Sequence, residues 1–431
     1  MSSGWRATYA HLRAAVAGLT LLLTGLALGR ADVVVIAAPL VLVWLAAAGG
    51  RPGQAPAVTA TEGSLAVHEG EEFGWRATLS GLPRGATVAA QHPAQRWLDV
   101  EPRDGRLVAA DGGTATVETA LRAMRWGRRR LGDPVVAAYD AWGAWRWGPV
   151  ACPGLQVTVL PATEPFDASA PAPHPRGLVG MERASRPGEG TEFAKVRPFE
   201  LGDRLRRIHW PTSARSGRLH VTATYADEDA HVAVLVDAVN DVGDSGGLDG
   251  GASSMDLTVR AAAVLAEHFL RRGDRVGIRV FGAWGASFVP SASGRLQLRR
   301  ILDTLSLIEP GTARGEDALA ARQGLGAGTL ALLLSPLIDP AATQQVAILT
   351  SAGIDVVVVD TLPPELAEGT GPGASANEVL AWRLRMLQRR LERDRMTALG
   401  IPVVTWAGPQ SIDRVLRDLT RRASVPRMAR R

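Results

Sequence analysis

The chain holds one cysteine, Cys152, and one lysine, Lys195, in 431 residues. A lone cysteine excludes an intrachain disulfide and any cluster of cysteine metal ligands, and Cys152 reads as a buried bystander. The single lysine follows no glycine loop, which excludes the Gly-x-x-x-x-Gly-Lys-Ser/Thr phosphate cradle and NTP hydrolysis through it. His-Glu-x-x-His is also absent, and no hydrolase constellation is legible. The formal charge of +5 and a pI near 10.2 permit anionic partners. Almost all of that positive charge is arginine, however, in the Ala- and Gly-rich composition that a GC-rich genome produces. No zinc-finger spacing, aromatic RNA-binding motif or helix-turn-helix pattern accompanies it, and nucleic acid is discounted as a partner.

Two apolar runs open the chain, at residues 14–28 and 33–48, separated by Gly29-Arg30-Ala31-Asp32. With Leu12 and the flanking small residues, each approaches the roughly 20 residues that cross a bilayer. A signal peptide is the rival reading of the first run, but a second apolar run follows at once where a polar mature sequence would begin. The expectation is a transmembrane helical hairpin over residues 1–50. Arg6, His11 and Arg13 precede it and Arg51 follows it, while Arg30 is offset by Asp32. That bias orients both ends, and everything after residue 50, toward the cytoplasm.

Residues 51–60 read as a Pro/Gly/Ala linker. From residue 64 to 160 the pattern is short β-type runs punctuated by Gly, Pro and Asp, at 64–67, 73–79, 87–90, 97–100, 106–109, 114–119, 134–140 and 155–160. This predicts an antiparallel β-sandwich domain over residues 51–162. Trp142, Trp145 and Trp147 fit a membrane-interface belt, but a packed strand corner beside Gly143 is the preferred reading. Residues 163–230 are a connector followed by a charged, extended segment. From residue 231 onward strands alternate with helices, predicting an α/β domain with a mostly parallel sheet over residues 231–431. The nearly continuous apolar run at 231–236 suits a strand covered on both faces. Helices are expected at 255–271, 293–307 (capped by Ser293), 340–351, 377–399 and 411–423, and further strands at 275–281, 286–289, 329–334, 354–359 and 403–406.

The densest motif is Gly202-Asp203, Arg207-Ile208-His209-Trp210, Ser213-Ala214-Arg215 and Gly217-Arg218-Leu219, in that order. It resembles the signature of domain-of-unknown-function family 58, a bacterial family described as associated with MoxR-type AAA+ ATPases, with His209 where the family more often carries an acidic residue. Tyr139-Asp140-Ala141-Trp142-Gly143 is similar to the family's Asp-x-Phe-Gly element. Gly202 and Asp203 form a turn signal. Arg204, Arg207 and Arg215 either recognise carboxylates or phosphates or, the preferred structural reading, pin the segment through pairs with Glu200, Asp203 and residues 227–229. Trp210 is expected as a core or interface anchor beside Ser213.

The strand and helix order also resembles a doubly wound von Willebrand factor A-like domain. In that family an Asp-x-Ser-x-Ser loop after the first strand, a Thr and a later Asp hold Mg²⁺ through oxygen. Here the loop reads Asp237-Ala238-Val239-Asn240-Asp241, with Asp339 after a later strand. Val239 replaces the first hydroxyl ligand, so Asp237, Asp241 and Asp339 are only weak metal candidates and no cofactor is expected. The resemblance implies a membrane-anchored, non-enzymatic adaptor that works with a MoxR-type AAA+ ATPase on client proteins. The alternative is an adhesion-type receptor gripping an acidic residue of a partner through a metal at Asp237.

Overall fold

The computed structural model describes residues 4–163, 187–200, 205, 208–225, 231–283, 287–311, 325, 329–369, 375–408 and 411. The chain divides into two compact units, Met1–Pro161 with Gly247–Asp249, and Ala162–Gly246 with Gly250–Arg431.

In the first unit a two-residue strand, β1 (Arg6–Ala7), leads into helices α1 (Tyr9–Ala27) and α2 (Ala31–Ala48). Both are long and apolar enough to cross a membrane. Leu12, Val16, Leu23, Val35, Ile36 and Leu42 are exposed, which in water would leave a large apolar surface and in lipid is the required one. The two helices meet through small residues. A Cβ on Gly25 would stand 2.8 Å from Val34 Cγ2 and 3.0 Å from the Val34 backbone nitrogen, so glycine permits the close approach that packing within lipid exploits.

The remainder of this unit is a strand-rich body. β2 (Ala57–Ala60), β4 (Glu72–Ser80), β8 (Thr114–Ala123) and β6 (Leu98–Glu101) form one sheet in the order β2-β4-β8-β6. β1, β11 (Trp145–Ala151), β10 (Val135–Tyr139), β5 (Thr87–Gln91) and β7 (Arg106–Ala109) form a second in that order. β3 (Ser64–His68), β12 (Gln156–Leu160) and β9 (Gly127–Arg130) form a third, in which β3 and β12 run parallel. The expected wholly antiparallel arrangement is thus corrected at that pair. Strict alternation along β4 and β8 sends Phe73, Trp75, Ala77, Leu79, Val117 and Leu121 into one core, as a pleat of period two requires. Trp75, fully buried, stacks edge-on against His92, with ring centroids 4.8 Å apart.

Three strands depart from the sequence expectation. Ala57–Ala60 lies inside the presumed linker, and pairing with β4 makes it a strand. Gly127–Arg130 carries three arginines and no apolar alternation, but β12 supplies its ladder. Trp145–Ala151 forms beyond the expected corner at Gly143, whose φ of 64° makes the turn.

In the second unit β13 (Pro187–Pro198) pairs antiparallel with β14 (His220–Tyr225), and between them runs α3 (Trp210–Ser216). The segment expected to be extended is therefore interrupted by a helix. A mixed six-stranded sheet follows, built from β15 (His231–Asp237), β16 (Arg275–Phe281), β17 (Ser287–Ala292), β18 (Thr329–Ser335), β19 (Asp355–Asp360) and β20 (Val403–Thr405). Its order is β17-β16-β15-β18-β19-β20, and only edge strand β17 runs antiparallel.

The helices of this unit are α4 (Ser254–Arg271), α5 (Arg295–Leu305), α6 (Pro340–Ser351), α7 (Pro364–Glu368) and α8 (Ala376–Ala398). Ala233, Leu235, Ala331 and Leu333 share a core with Val346 and Leu349 of α6 and Met396 of α8. The alternate residues Val232, Val234, Leu330 and Leu332 are buried on the opposite face. α4 opens with a reciprocal cap between Ser253 and Asp256. Gly294, not Ser293, precedes α5, and no side chain caps that helix. The helix expected at 411–423 lies outside the described residues beyond Ser411.

Candidate functional site

Two places in the second unit carry the residues singled out by sequence. The first is the signature segment. Gly202, Asp203, Arg204 and Arg207 lie outside the described residues, whereas Trp210, Ser213 and Arg215 sit on α3. Ser213 is the only residue of this seven-residue helix to be buried. Its hydroxyl donates to the His209 carbonyl at 2.9 Å and accepts the His220 backbone N–H at 2.9 Å, stapling helix to strand. Gly217 ends the helix at φ 66° with its N–H on the Ser213 carbonyl, a left-handed cap that favours glycine. The motif's Ser and Gly are therefore the residues that shape the turn.

Trp210 contradicts the expectation of a core anchor: it is 66% exposed. It is the first residue of a helix too short to present a continuous buried face, so the burial falls to Ser213 instead. Leu205 and Leu219 nearby in sequence are also exposed, as are Arg215 and Arg218. Arg197, ahead of the arginines expected to pin the segment, approaches Glu200 at 3.5 Å, with the glutamate largely in solvent, where such a pair carries little energetic weight.

Ser216 Oγ stands 3.1 Å from His220 Nδ1, a pair that on distance alone suggests an activated hydroxyl. The same Nδ1 lies 2.9 Å from the Arg218 carbonyl. A carbonyl only accepts, so this nitrogen carries the proton and offers Ser216 no base.

The second place is the carboxyl edge of the six-stranded sheet, where open α/β sheets bind ligands. Asp237 ends β15 with its side chain buried. Its Oδ1 accepts the Val239 N–H at 3.0 Å, and its Oδ2 accepts the Ser335 hydroxyl at 2.5 Å. Burial pushes the Asp237 carboxyl up to about 6, against the lowering effect of those two bonds, and the nearby Asp339 charge adds to the rise. Asp241 Oδ1 accepts the Met255 N–H at 3.0 Å, and Asp339 caps α6 through the Ala341 N–H at 2.8 Å. Each of the three candidate carboxylates thus accepts a backbone N–H, Asp237 from the loop that follows it and Asp241 and Asp339 from the first turns of α4 and α6. Among the described residues, no three His, Cys, Asp or Glu side chains gather closely enough to hold a metal ion.

A fourth carboxylate at this edge was not singled out from the sequence. Asp360 ends β19 as Asp237 ends β15, is equally buried, and receives Arg389 through Oδ1 and Arg393 at 3.1 Å through Oδ2. Arg389 Nε also donates to the Pro336 carbonyl at 2.9 Å, and Arg385 donates to the carbonyls of Ile338 and Leu337 at 2.7 and 2.9 Å. The arginines recur every four residues on α8 and so share one face. That spacing, and an Asp closing a second apolar strand, here the all-valine run 356–359, were the signals available. Together they lock the β18–α6 loop, where Leu337 holds a φ of 55°.

Residues 195–380 match the family described as protein of unknown function DUF58. An uncharacterized protein of Mycobacterium bovis and two of Mycobacterium tuberculosis are each 27% identical over 190 residues, which is 42% of this chain and 58% of theirs. The matched span contains the stapled signature helix and the strand ends at Asp237 and Asp360, and over that span the chain is similar to the DUF58 family.

Proposed function

We propose that this protein is a membrane-anchored, non-enzymatic adaptor whose signature segment engages a MoxR-type AAA+ ATPase for the assembly or maturation of client proteins. The observation that carries this reading is the exposure of Trp210 in the middle of the family signature. A tryptophan left in solvent loses the burial that usually stabilises it, and tryptophan and arginine are the side chains that dominate protein interfaces. Exposed Leu205, Leu219 and Arg215 supply the rim.

The six-stranded sheet supports a von Willebrand factor A-like reading of the second domain, because its single antiparallel strand lies at the edge and its first strand lies at the centre. The internal bonding of Asp237, Asp241 and Asp339 favours a scaffold over a metal-dependent receptor. A cation at Asp237 would have to displace the Ser335 hydroxyl and the Val239 N–H.

On this reading the rest of the chain lies at the inner membrane on the cytoplasmic side, where an AAA+ partner finds its ATP; the arginines that flank the outer ends of the hairpin support that side. Alkaline phosphatase fused after Arg431 is expected to be inactive. Strong activity would reverse the orientation and remove the ATPase reading with it. Solubilised protein should copurify with a MoxR-type ATPase, identified by mass spectrometry, with EDTA present throughout and with loss on Trp210→Ala. Copurification that vanishes in EDTA would favour the metal-dependent receptor.

A further inference from the structure

The end of the hairpin is built into the strand-rich body of the first unit. Trp5, ahead of α1, is 2% exposed in the core and donates its indole N–H to the Gln54 carbonyl at 2.8 Å. β1 pairs with β11, setting Arg6 opposite Arg146. Thr8, the N-cap of α1, donates its hydroxyl to the Gly143 carbonyl at 2.7 Å, and Trp145 donates its indole N–H to the Ala47 carbonyl at the end of α2 at 2.8 Å. The β10–β11 turn is thus held by both helices at the level where they leave the apolar span.

That level is rich in aromatics and cations. Trp142, at the tip of the turn, is 63% exposed, and Tyr9 is exposed on α1. The turn is rigid: Asp140 accepts the N–H groups of Trp142 and Trp145, at 3.4 and 2.7 Å. Arg13 lies over the Tyr9 ring and Arg51 over Trp145, at 5.0 and 5.4 Å. Arg6 and Arg146 are exposed cross-strand neighbours of like charge, an arrangement that costs stability unless an anion sits between them. Among the described residues, no carboxylate forms an ion pair with Arg6, Arg13, Arg51 or Arg146. The opposite end of the hairpin, at Leu28 and Gly29, has no aromatic residue, and its one arginine is paired with Asp32.

We propose that this collar is a binding surface for an anionic phospholipid bilayer. Trp142 enters the headgroup boundary, where an indole can be half apolar and half wet, and Arg6, Arg146, Arg13 and Arg51 hold lipid phosphates, for which the guanidinium fork is suited. The proposal rests on the membrane reading of the hairpin. It adds that the extramembrane body lies against the lipid, docked by its own turn as well as tethered by the helices.

The test uses the full chain in nanodiscs of phosphatidylcholine and phosphatidylglycerol containing lipids brominated near the headgroup. Trp44, on α2, reports the hairpin itself. Both Trp142→Phe and Trp44→Phe are expected to lower the fraction of tryptophan emission that bromine quenches. If Trp44→Phe lowers it and Trp142→Phe does not, the collar is wrong and the hairpin stands; if neither does, the membrane reading and the collar fall together. Native mass spectrometry of the released protein should show phosphatidylglycerol retained over phosphatidylcholine, with Arg6→Gln/Arg146→Gln lowering that preference about fivefold per arginine. The Arg6→Lys/Arg146→Lys pair should restore most of it. An unchanged preference in the glutamine pair, or a lysine pair as depleted as the glutamine pair, would overturn the role given to the charges.

Discussion

The Ser335 hydroxyl donates to Asp237 Oδ2 at 2.5 Å while accepting the Leu337 N–H at 2.9 Å, which joins the ends of the two central strands to the loop that follows. One hydroxyl therefore governs a buried carboxylate and a residue with positive φ.

Asp237 should make stability fall with rising pH. Its folded value of about 6 exceeds the ordinary 3.8, so between those values the folded protein keeps a proton that the unfolded chain has released. The stabilisation is fully present below the unfolded value and is lost as pH rises through the folded one, by about 3 kcal/mol in all. Denaturant midpoints of wild type and Asp237→Asn, compared from pH 4 to pH 7, should diverge by that slope. Parallel curves would mean that the carboxyl titrates normally.

His92 should act in the opposite direction. Burial holds its imidazole down to about 4 from 6.5, so the folded first unit resists a proton that the unfolded chain accepts. Stability present above pH 6.5 is then lost as pH falls toward 4. Titration of the His92 ring by NMR in the folded protein should find it neutral at pH 5.5; a protonated ring there would contradict the burial argument.

Trp210→Ala should leave stability within about 0.5 kcal/mol of wild type, the range of exposed substitutions, while abolishing copurification of the ATPase. A loss near the ~3–5 kcal/mol of a buried aromatic truncation would return Trp210 to the core.

Arg389→Ala should destabilise by about 3–5 kcal/mol, because it leaves Asp360 buried with its main partner removed. Arg393→Ala, at a more exposed position, should cost less. A calorimetric or chemical unfolding series that ranked them in reverse would show that Arg393 carries the pairing.

Calorimetry should find no binding of Mg²⁺ or Mn²⁺ at millimolar concentrations. Val239 offers no oxygen where the adhesion-type loop needs a hydroxyl, and Asp237 is turned to Val239 and Ser335. A stoichiometric divalent ion lost in Asp237→Ala would promote the receptor reading.

Local order was legible wherever one residue's chemistry dominates. The apolar runs of α1 and α2, the alternation along β4 and β8 and the continuous apolar run of β15 each demand their element, because period and hydrophobicity are properties of neighbours in the chain. The Gly202-Asp203 to Leu219 motif was legible as a family signature for the same reason. Strands β2 and β9 were not, since a partner strand makes them and their own side chains do not.

What tertiary structure alone decided is which side chain fills a site and which is left outside. The sequence by itself made Trp210 a candidate anchor and left Asp360 unremarked. Folding gave the buried place on α3 to Ser213, whose hydroxyl satisfies two backbone groups, and brought Arg389 and Arg393 to Asp360 from residues far along the chain. The reason is physical: a buried polar group must find its partner wherever the backbone brings one, and that partner is set by topology, which no local pattern encodes.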